Sequence, residues 1–210
     1  ILSGKDPLTI TLTGSVFILL TTTYLAHGVS KKTTIALLST LISLFLTAAF
    51  AIFAINLNHI TGLGNEDLFM LQIGPTSVIN IKGLFLSGII ITTLGALNDI
   101  TTSQSTAVFE LKQLEPKLKF LSLFEKGFNI GKEHIASLIN TLILAYAGSA
   151  FAVFIFFVLN PSNLPYWVII NNEVVADEVI KIIAGSMGLL LSVPIVTAIA
   201  AYVFSKKIKI

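Results

Sequence analysis

Five long apolar runs dominate the chain, at about Leu8 to Ala26, Thr33 to Leu57, Ile79 to Thr101, Ile135 to Leu159 and Val179 to Phe204. Each is close to or above the roughly 20 residues an α-helix needs to cross about 30 Å of hydrocarbon. The breaks carry turn and charge signals: Gly28 to Lys32, then Asn58 to Ser77 with Gly62, Gly64, Gly74 and Pro75, then a charged stretch around Pro116, then Asn160 to Asp177 with Pro161 and Pro165. Backbone groups cannot be left unpaired in lipid, and the two-residue alternation of a barrel strand is absent, so the runs predict helices. The expected fold is all-α, a polytopic transmembrane helical bundle of about five spans in a single domain over residues 1–210.

Composition agrees and adds an orientation. The chain is 54% hydrophobic and 11% charged, about half the charge of a soluble protein. All thirteen basic residues are Lys and the net charge is only +2, which excludes a nucleic-acid binder built on a strong basic surface. With five spans in place, ten of the thirteen lysines fall on one side: Lys31, Lys32, Lys112, Lys117, Lys119, Lys126, Lys132, Lys206, Lys207 and Lys209. Lys5, Lys82 and Lys181 fall on the other, with Asp6, Glu66, Asp67, Glu173, Asp177 and Glu178. The lysine-rich side is expected to be cytoplasmic, so the N-terminus should lie outside and the C-terminus inside. The opening ILSGKDPL has neither the basic n-region nor the cleavage site of a signal peptide, and an odd number of spans fits a piece of a longer chain.

Candidate chemistry lies with the polar residues near or within the spans, because a charge in hydrocarbon costs at least roughly 2.5–3.5 kcal/mol. Asp99 follows Lys82 by seventeen residues. At about 1.5 Å per residue it sits some 25 Å down the span, near the inner boundary. Asn98 and Gln104 flank it, and helical spacing places Thr92, Thr102, Ser103, Thr106 and Glu110 on its face. That face could line a wet cavity, or it could be a helix end capped by its own hydroxyls. The fourth span opens with Lys132, Glu133 and His134 and continues through Ser137, Asn140, Thr141, Leu144 and Gly148 as a small and polar stripe. A cytoplasmic-side cluster of Asp99, Glu133 and His134 would suit proton coupling, whereas Glu133 alone would also suit a helix start.

On the opposite side, Glu173, Asp177 and Lys181 precede Gly185, Gly188 and Ser192 at helical spacing, and Pro194 interrupts the run. An acidic outer mouth on a discontinuous transporter helix has this form, and so does a packed helix seam, which small residues favour. Thr11, Ser15 and Thr22 on the first span and Ser39, Ser43 and Thr47 on the second read as packing polar groups. Tyr166 and Trp167 match an interfacial aromatic belt. Pro116 to Phe128, with Lys117, Lys119, Glu125 and Lys126 among Leu118, Leu121 and Phe124, predicts a short helix on the inner membrane surface.

No enzymatic constellation emerges. The chain has no HExxH, phosphate-binding Gly loop or G-x-S-x-G elbow, and GSMG at Gly185 to Gly188 is a helix-packing string. Asp99 has no second intramembrane Asp to act with. The expected topology separates His59 from His27 and His134, so neither a metal nor a cofactor is expected. With no Cys there is no thiol chemistry.

The segments GALNDITTSQSTAVFEL (Gly95 to Leu111), GKEHIASLINTLILAYAG (Gly131 to Gly148) and EVVADEVIKIIAGSMGLLLSVPI (Glu173 to Ile195) resemble the three signature blocks of the YibE/F-like family of bacterial membrane proteins. The resemblance extends through ILSGKDP and HITGLGNEDL and covers nearly the whole chain. It implies a multi-pass, permease-like protein of the bacterial inner (cytoplasmic) membrane, with further spans and an extracytoplasmic region in the full family pattern. The same blocks hold Asn98, Asp99, Gln104, Glu133, His134, Asn140, Thr141, Glu173, Asp177 and Gly185. The expected function is a permease or permease subunit moving a small solute or ion, with Asp99 or Glu133 coupling a proton or cation. The alternative is a non-transporting scaffold or assembly partner of an envelope or transport complex. Expected partners are the lipid bilayer, an unidentified solute or ion, and either a second copy or a partner membrane subunit, but no nucleic acid.

Overall fold

The computed structural model describes residues 5–64, 79–160 and 163–206, and every regular element among them is an α-helix. These are α1 (Pro7–His27), α2 (Lys31–Leu57), α3 (Ile81–Leu114), α4 (Phe120–Ser149), α5 (Phe151–Leu159), α6 (Tyr166–Ile170) and α7 (Glu173–Ser205). Four of them, α1, α2, α3 and α7, are long and apolar enough to cross a membrane, and α4 with α5 forms a fifth candidate span bent by 57°. Local chemistry sets where these helices start. Asp6, Ser30, Asn80 and Asn172 are N-caps whose side-chain oxygens accept hydrogen bonds from the backbone N–H groups of Thr9, Thr33, Gly83 and Val174. Pro7 begins α1, where its missing N–H is no loss.

The centre of the bundle is the packed trio α2, α3 and α7, with α4 laid against α7 and α3, and α1 against α3. Three apolar clusters run along it. Ala51, Ile55, Phe85, Ile89, Ile180 and Ala184 fill the end where α7 begins, called the Glu173 end below. Leu44, Ile90, Leu94, Leu97, Leu189 and Val193 fill the middle. Ile35, Val108, Leu123, Val196, Ala200 and Phe204 fill the opposite, Lys32 end.

Lipid supplies little hydrophobic drive for helix association, so close packing at small residues carries much of it. Gly188 lies directly against the Thr47 side chain, and Gly131 against Val193 and Gln104, leaving no room for a Cβ at either glycine. Gly185 faces Thr93 and Leu142 across a similarly tight contact. Ser39, Ser43 and Thr47 are buried on α2, and Ser39 and Thr47 donate to their own helix backbone at Ile35 and Ser43. On α1 the buried stripe recurs every fourth residue, at Pro7, Thr11, Ser15, Leu19 and Thr23. Thr23 therefore takes the packing place expected of Thr22, which is exposed and bonds back to the Ile18 carbonyl.

Three features differ from the sequence expectation. The segment from Phe120 onward is the first part of α4 and not a separate surface helix, because Leu123, Gly127 and Gly131 stack on one face and bury against Val108, Thr197 and Val193. The span expected to run unbroken from Ile135 to Leu159 turns between Ser149 and Phe151. Pro194 does not interrupt α7, which is continuous from Glu173 to Ser205. Neighbouring helices and Ser hydroxyls let membrane helices carry an internal Pro, and here Ser192 donates to the Leu189 carbonyl just before it.

Candidate functional site

At the Glu173 end, two carboxylates tie chain segments together and a third is left over. Asp6 caps α1 through Oδ2, which accepts from the Thr9 N–H and Thr9 Oγ1 at 2.9 Å each, while Oδ1 accepts from Asn80 Nδ2 at 3.1 Å. The Thr9 backbone N–H, with the Thr9 hydroxyl and the Asn80 amide, holds the Asp6 carboxyl below the usual carboxylate range. Glu173 Oε1 accepts from the Thr61 N–H at 2.6 Å, Thr61 Oγ1 at 2.7 Å and the Gly62 N–H at 2.8 Å. Gly62 has φ +82°, a left-handed conformation that presents its N–H to the carboxylate and that glycine adopts without strain. Glu173 thus fastens the turn after α2 to the start of α7.

Asp177, one turn further along α7, is 4% exposed, and its Oδ1 has no hydrogen-bond partner among the described residues. Its Oδ2 lies so close to Gly64 that a Cβ there would come within 2.7 Å of it. Lys181, the cation one turn on, pairs with Glu178 at 2.6 Å and lies 5.6 Å from the Phe85 ring centroid. The expected acidic mouth of Glu173, Asp177 and Lys181 therefore splits into a saturated staple, a buried carboxyl whose Oδ1 has no partner among the described residues, and an ion pair of Lys181 with Glu178. Glu178 was missing from that expected set, although its i,i+3 spacing to Lys181 was the available signal.

At the Lys32 end, the polar residues of α3 serve two purposes. Gln104 is fully buried and bolts three helices together, with Nε2 donating to the Gly127 carbonyl at 2.7 Å and to Thr197 Oγ1 at 2.8 Å. Asn98 accepts from Thr23 Oγ1 at 2.9 Å, Thr101 shares a hydrogen bond with Thr40 at 2.6 Å, and Ser105 donates to the Lys32 carbonyl at 2.8 Å. Thr102 and Ser103 line a groove of about 380 Å³ together with Thr106, His27, Lys32 and Thr33.

The described lining of this groove comes from α1, α2 and α3, and not from the facing third and fourth spans expected to enclose Asp99 and Glu133. Asp99, Glu133, His134, Asn140 and Thr141 are all exposed, and no hydrogen bond or ion pair joins Asp99, Glu133 and His134 among the described residues. The packing face of α4 is Leu123, Gly127, Gly131, Leu142 and Tyr146, so its polar stripe points away from the bundle. Gly185, Gly188 and Ser192 are buried in helix contacts, and Pro194 is partly exposed.

A sequence profile described as YibE/F-like protein matches residues 1–206, nearly the full length. The chain belongs to the YibE/F-like family. Comparison with curated proteins and with solved structures returns no match. For this YibE/F-like chain, membership accords with the all-helical bundle of membrane-length helices, and the roles of individual residues rest on the geometry above.

Proposed function

We propose that this chain is the membrane-embedded core of a permease or permease subunit in the bacterial cytoplasmic membrane, moving a small solute or ion coupled to a proton or cation. The observation that carries the reading is Asp177, a carboxyl sealed from water with an oxygen that has no donor among the described residues. A carboxylate buried beside Glu173 and Glu178, with Lys181 drawn to Glu178, is costly, and either a proton or a small cation relieves that cost. The coupling role thereby moves from Asp99 and Glu133, which are exposed, to Asp177. The lysine distribution supports the Glu173 end as the outer face. The reading assigns no covalent chemistry to the chain and no cofactor.

The test is thermal unfolding of the purified protein in detergent, over pH and a panel of ions, amino acids and small organic acids, for the parent and Asp177→Asn. A ligand at about a hundred times its dissociation constant adds roughly 2.7 kcal/mol, or roughly 5–11 °C for a chain of this size. The reading expects a stabilising cation or solute whose effect disappears in Asp177→Asn. A folded variant with the same ligand and pH response as the parent sinks it.

A second reading, a membrane scaffold or assembly partner, is favoured by the outward stripe of Glu133, Ser137, Asn140 and Thr141, since exposed polar groups on a membrane helix favour a protein neighbour. It expects a stoichiometric partner subunit or second copy crosslinked through position 140, with no solute flux in liposomes.

A further inference from the structure

The groove at the Lys32 end is lined entirely by groups able to donate hydrogen bonds. Lys32 and His27 supply the nitrogen donors, Thr33, Thr102, Ser103 and Thr106 supply hydroxyls, and no carboxylate is among the described lining residues, Asp99 and Glu110 lying one turn beyond them on α3. Lys32 is half-buried, lies 5.5 Å from the Phe109 ring centroid, and has no acidic partner among the described residues. Other lysines are engaged: Lys126 pairs with Glu115, Lys181 with Glu178, and Lys112 donates to the carbonyls of Pro116 and Leu118. Thr102 is among the groove-lining residues, and its Oγ1 is shielded from solvent with no hydrogen-bond partner among the described residues, so that rotation about χ1 is what brings this free donor to a ligand.

The hydroxyls on α3 follow helical spacing, Thr102 and Ser103 on one turn and Thr106 on the next, so they present donors along one wall. Lys32 and Thr33 stand on the facing wall in the first turn of α2, a 27-residue helix whose dipole places further positive potential there. His27 ends α1 beside them and has a ring N–H to offer in either protonation state.

We propose that this groove binds a phosphoryl anion, held by the Lys32 ammonium and the Thr102, Ser103 and Thr106 hydroxyls with His27 at its edge. A carboxylate offers two oxygens, whereas a phosphoryl group offers three or more in a tetrahedral arrangement, which suits donors converging from two walls. A volume of about 380 Å³ stands near the lower end of the roughly 300–1,000 Å³ typical of small-ligand pockets, enough for a phosphate with a small substituent. The same chemistry is available from free phosphate compounds and from the headgroup of an anionic phospholipid. The inference is independent of any coupling role for Asp177, which lies at the other end of the bundle.

The experiment uses the whole protein in a phosphate-free neutral detergent. Binding is read by isothermal calorimetry with inorganic phosphate at fixed ionic strength, and by native mass spectrometry after addition of phosphatidylglycerol. Parent, Lys32→Gln, Lys32→Arg and Thr102→Val are compared. Loss of a hydrogen bond to a charged ligand weakens affinity about tenfold or more. Lys32→Gln is therefore expected to weaken binding at least that much, Thr102→Val to weaken it measurably, and Lys32→Arg to retain it. Thr102→Val exchanges a hydroxyl that has no partner for a methyl, so it remains informative if Lys32→Gln fails to fold. Variant-sensitive binding of inorganic phosphate supports the site with a free phosphate compound as its ligand. Variant-sensitive retention of phosphatidylglycerol alone supports it with a lipid headgroup. Absence of both, or binding unchanged in Lys32→Gln or in Thr102→Val, overturns the proposal.

Discussion

The contact between Gly188 of α7 and Thr47 of α2 offers a quantitative test of how the bundle is held together. Placing a methyl on Gly188 drives it into the Thr47 hydroxyl and methyl, with both residues buried at the junction of the two central helices. Overpacking of this kind costs about 1–3 kcal/mol, because neither backbone can withdraw without opening the surrounding contacts. Against that stands the gain of up to about 1 kcal/mol from replacing glycine by alanine inside a helix. Gly148 of α4 supplies the control, since a Cβ there meets nothing within 4 Å. Gly148→Ala is expected to be neutral or up to about 1 kcal/mol stabilising, and Gly188→Ala to lie about 1–3 kcal/mol below it. At roughly 2–4 °C per kcal/mol for a chain of 150–250 residues, the two variants should melt roughly 2–12 °C apart. Thermal unfolding followed by tryptophan fluorescence or circular dichroism in one detergent reads the difference directly. Equal midpoints would refute the close approach of α2 and α7 as the seam of the bundle.

Gln104→Leu removes two buried hydrogen bonds that join α3 to α4 and α7, together with an Oε1 that has no partner among the described residues, so denaturant titration should show a loss of about 1–2 kcal/mol. Gln104→Glu places a charge at the same buried position and should cost more than the leucine variant. The Asp6 carboxyl is held below its ordinary range in the fold, so its contribution is present above that range and lost as pH falls through the lowered value. Asp6→Asn keeps an oxygen for the cap but loses the charge and the acceptor for Asn80 Nδ2, and should lower stability in the neutral region while flattening the acid limb of a stability-against-pH curve.

Apolar length made most of the helices legible in the sequence. The runs at Thr33 to Leu57 and Val179 to Phe204 lie within α2 and α7, and the charges of Lys31, Lys32 and Glu173 mark their starts. The start of α4 was harder, because Glu125 and Lys126 give its first turns the look of a surface helix. What keeps those turns in the bundle is a spacing of four through Leu123, Gly127 and Gly131, a signal of close packing that charge obscures. The bend at Ala150 lies inside an apolar run and has no Pro or charge to announce it.

The candidate residues were legible as a set, but their directions were not. In water a polar helical stripe points outward by default, whereas in a membrane sequence it reads as pointing inward, and on α4 that inference failed because the glycines and Leu142 form the tighter face. Asp177 could be named from its place near a span, yet its burial depends on Thr61 to Gly64 folding over α7, a contact more than a hundred residues apart in the chain. Lys32 was visible as one of the lysines expected to mark the inner side, and only the pairing of the α1–α2 turn with Thr102 and Ser103 brings it and His27 into one groove.

In the proposed function, Asp177 couples ion movement to solute movement. Parent protein and Asp177→Asn would be reconstituted into liposomes carrying pH- and sodium-sensitive dyes, then exposed to gradients of inorganic cations, phosphate, amino acids and small carboxylates. At least one gradient is expected to drive proton or sodium movement through the parent, and Asp177→Asn, folded and inserted equally well, is expected to abolish it. Undiminished flux in Asp177→Asn, or no flux through the folded parent under any gradient, would contradict that role.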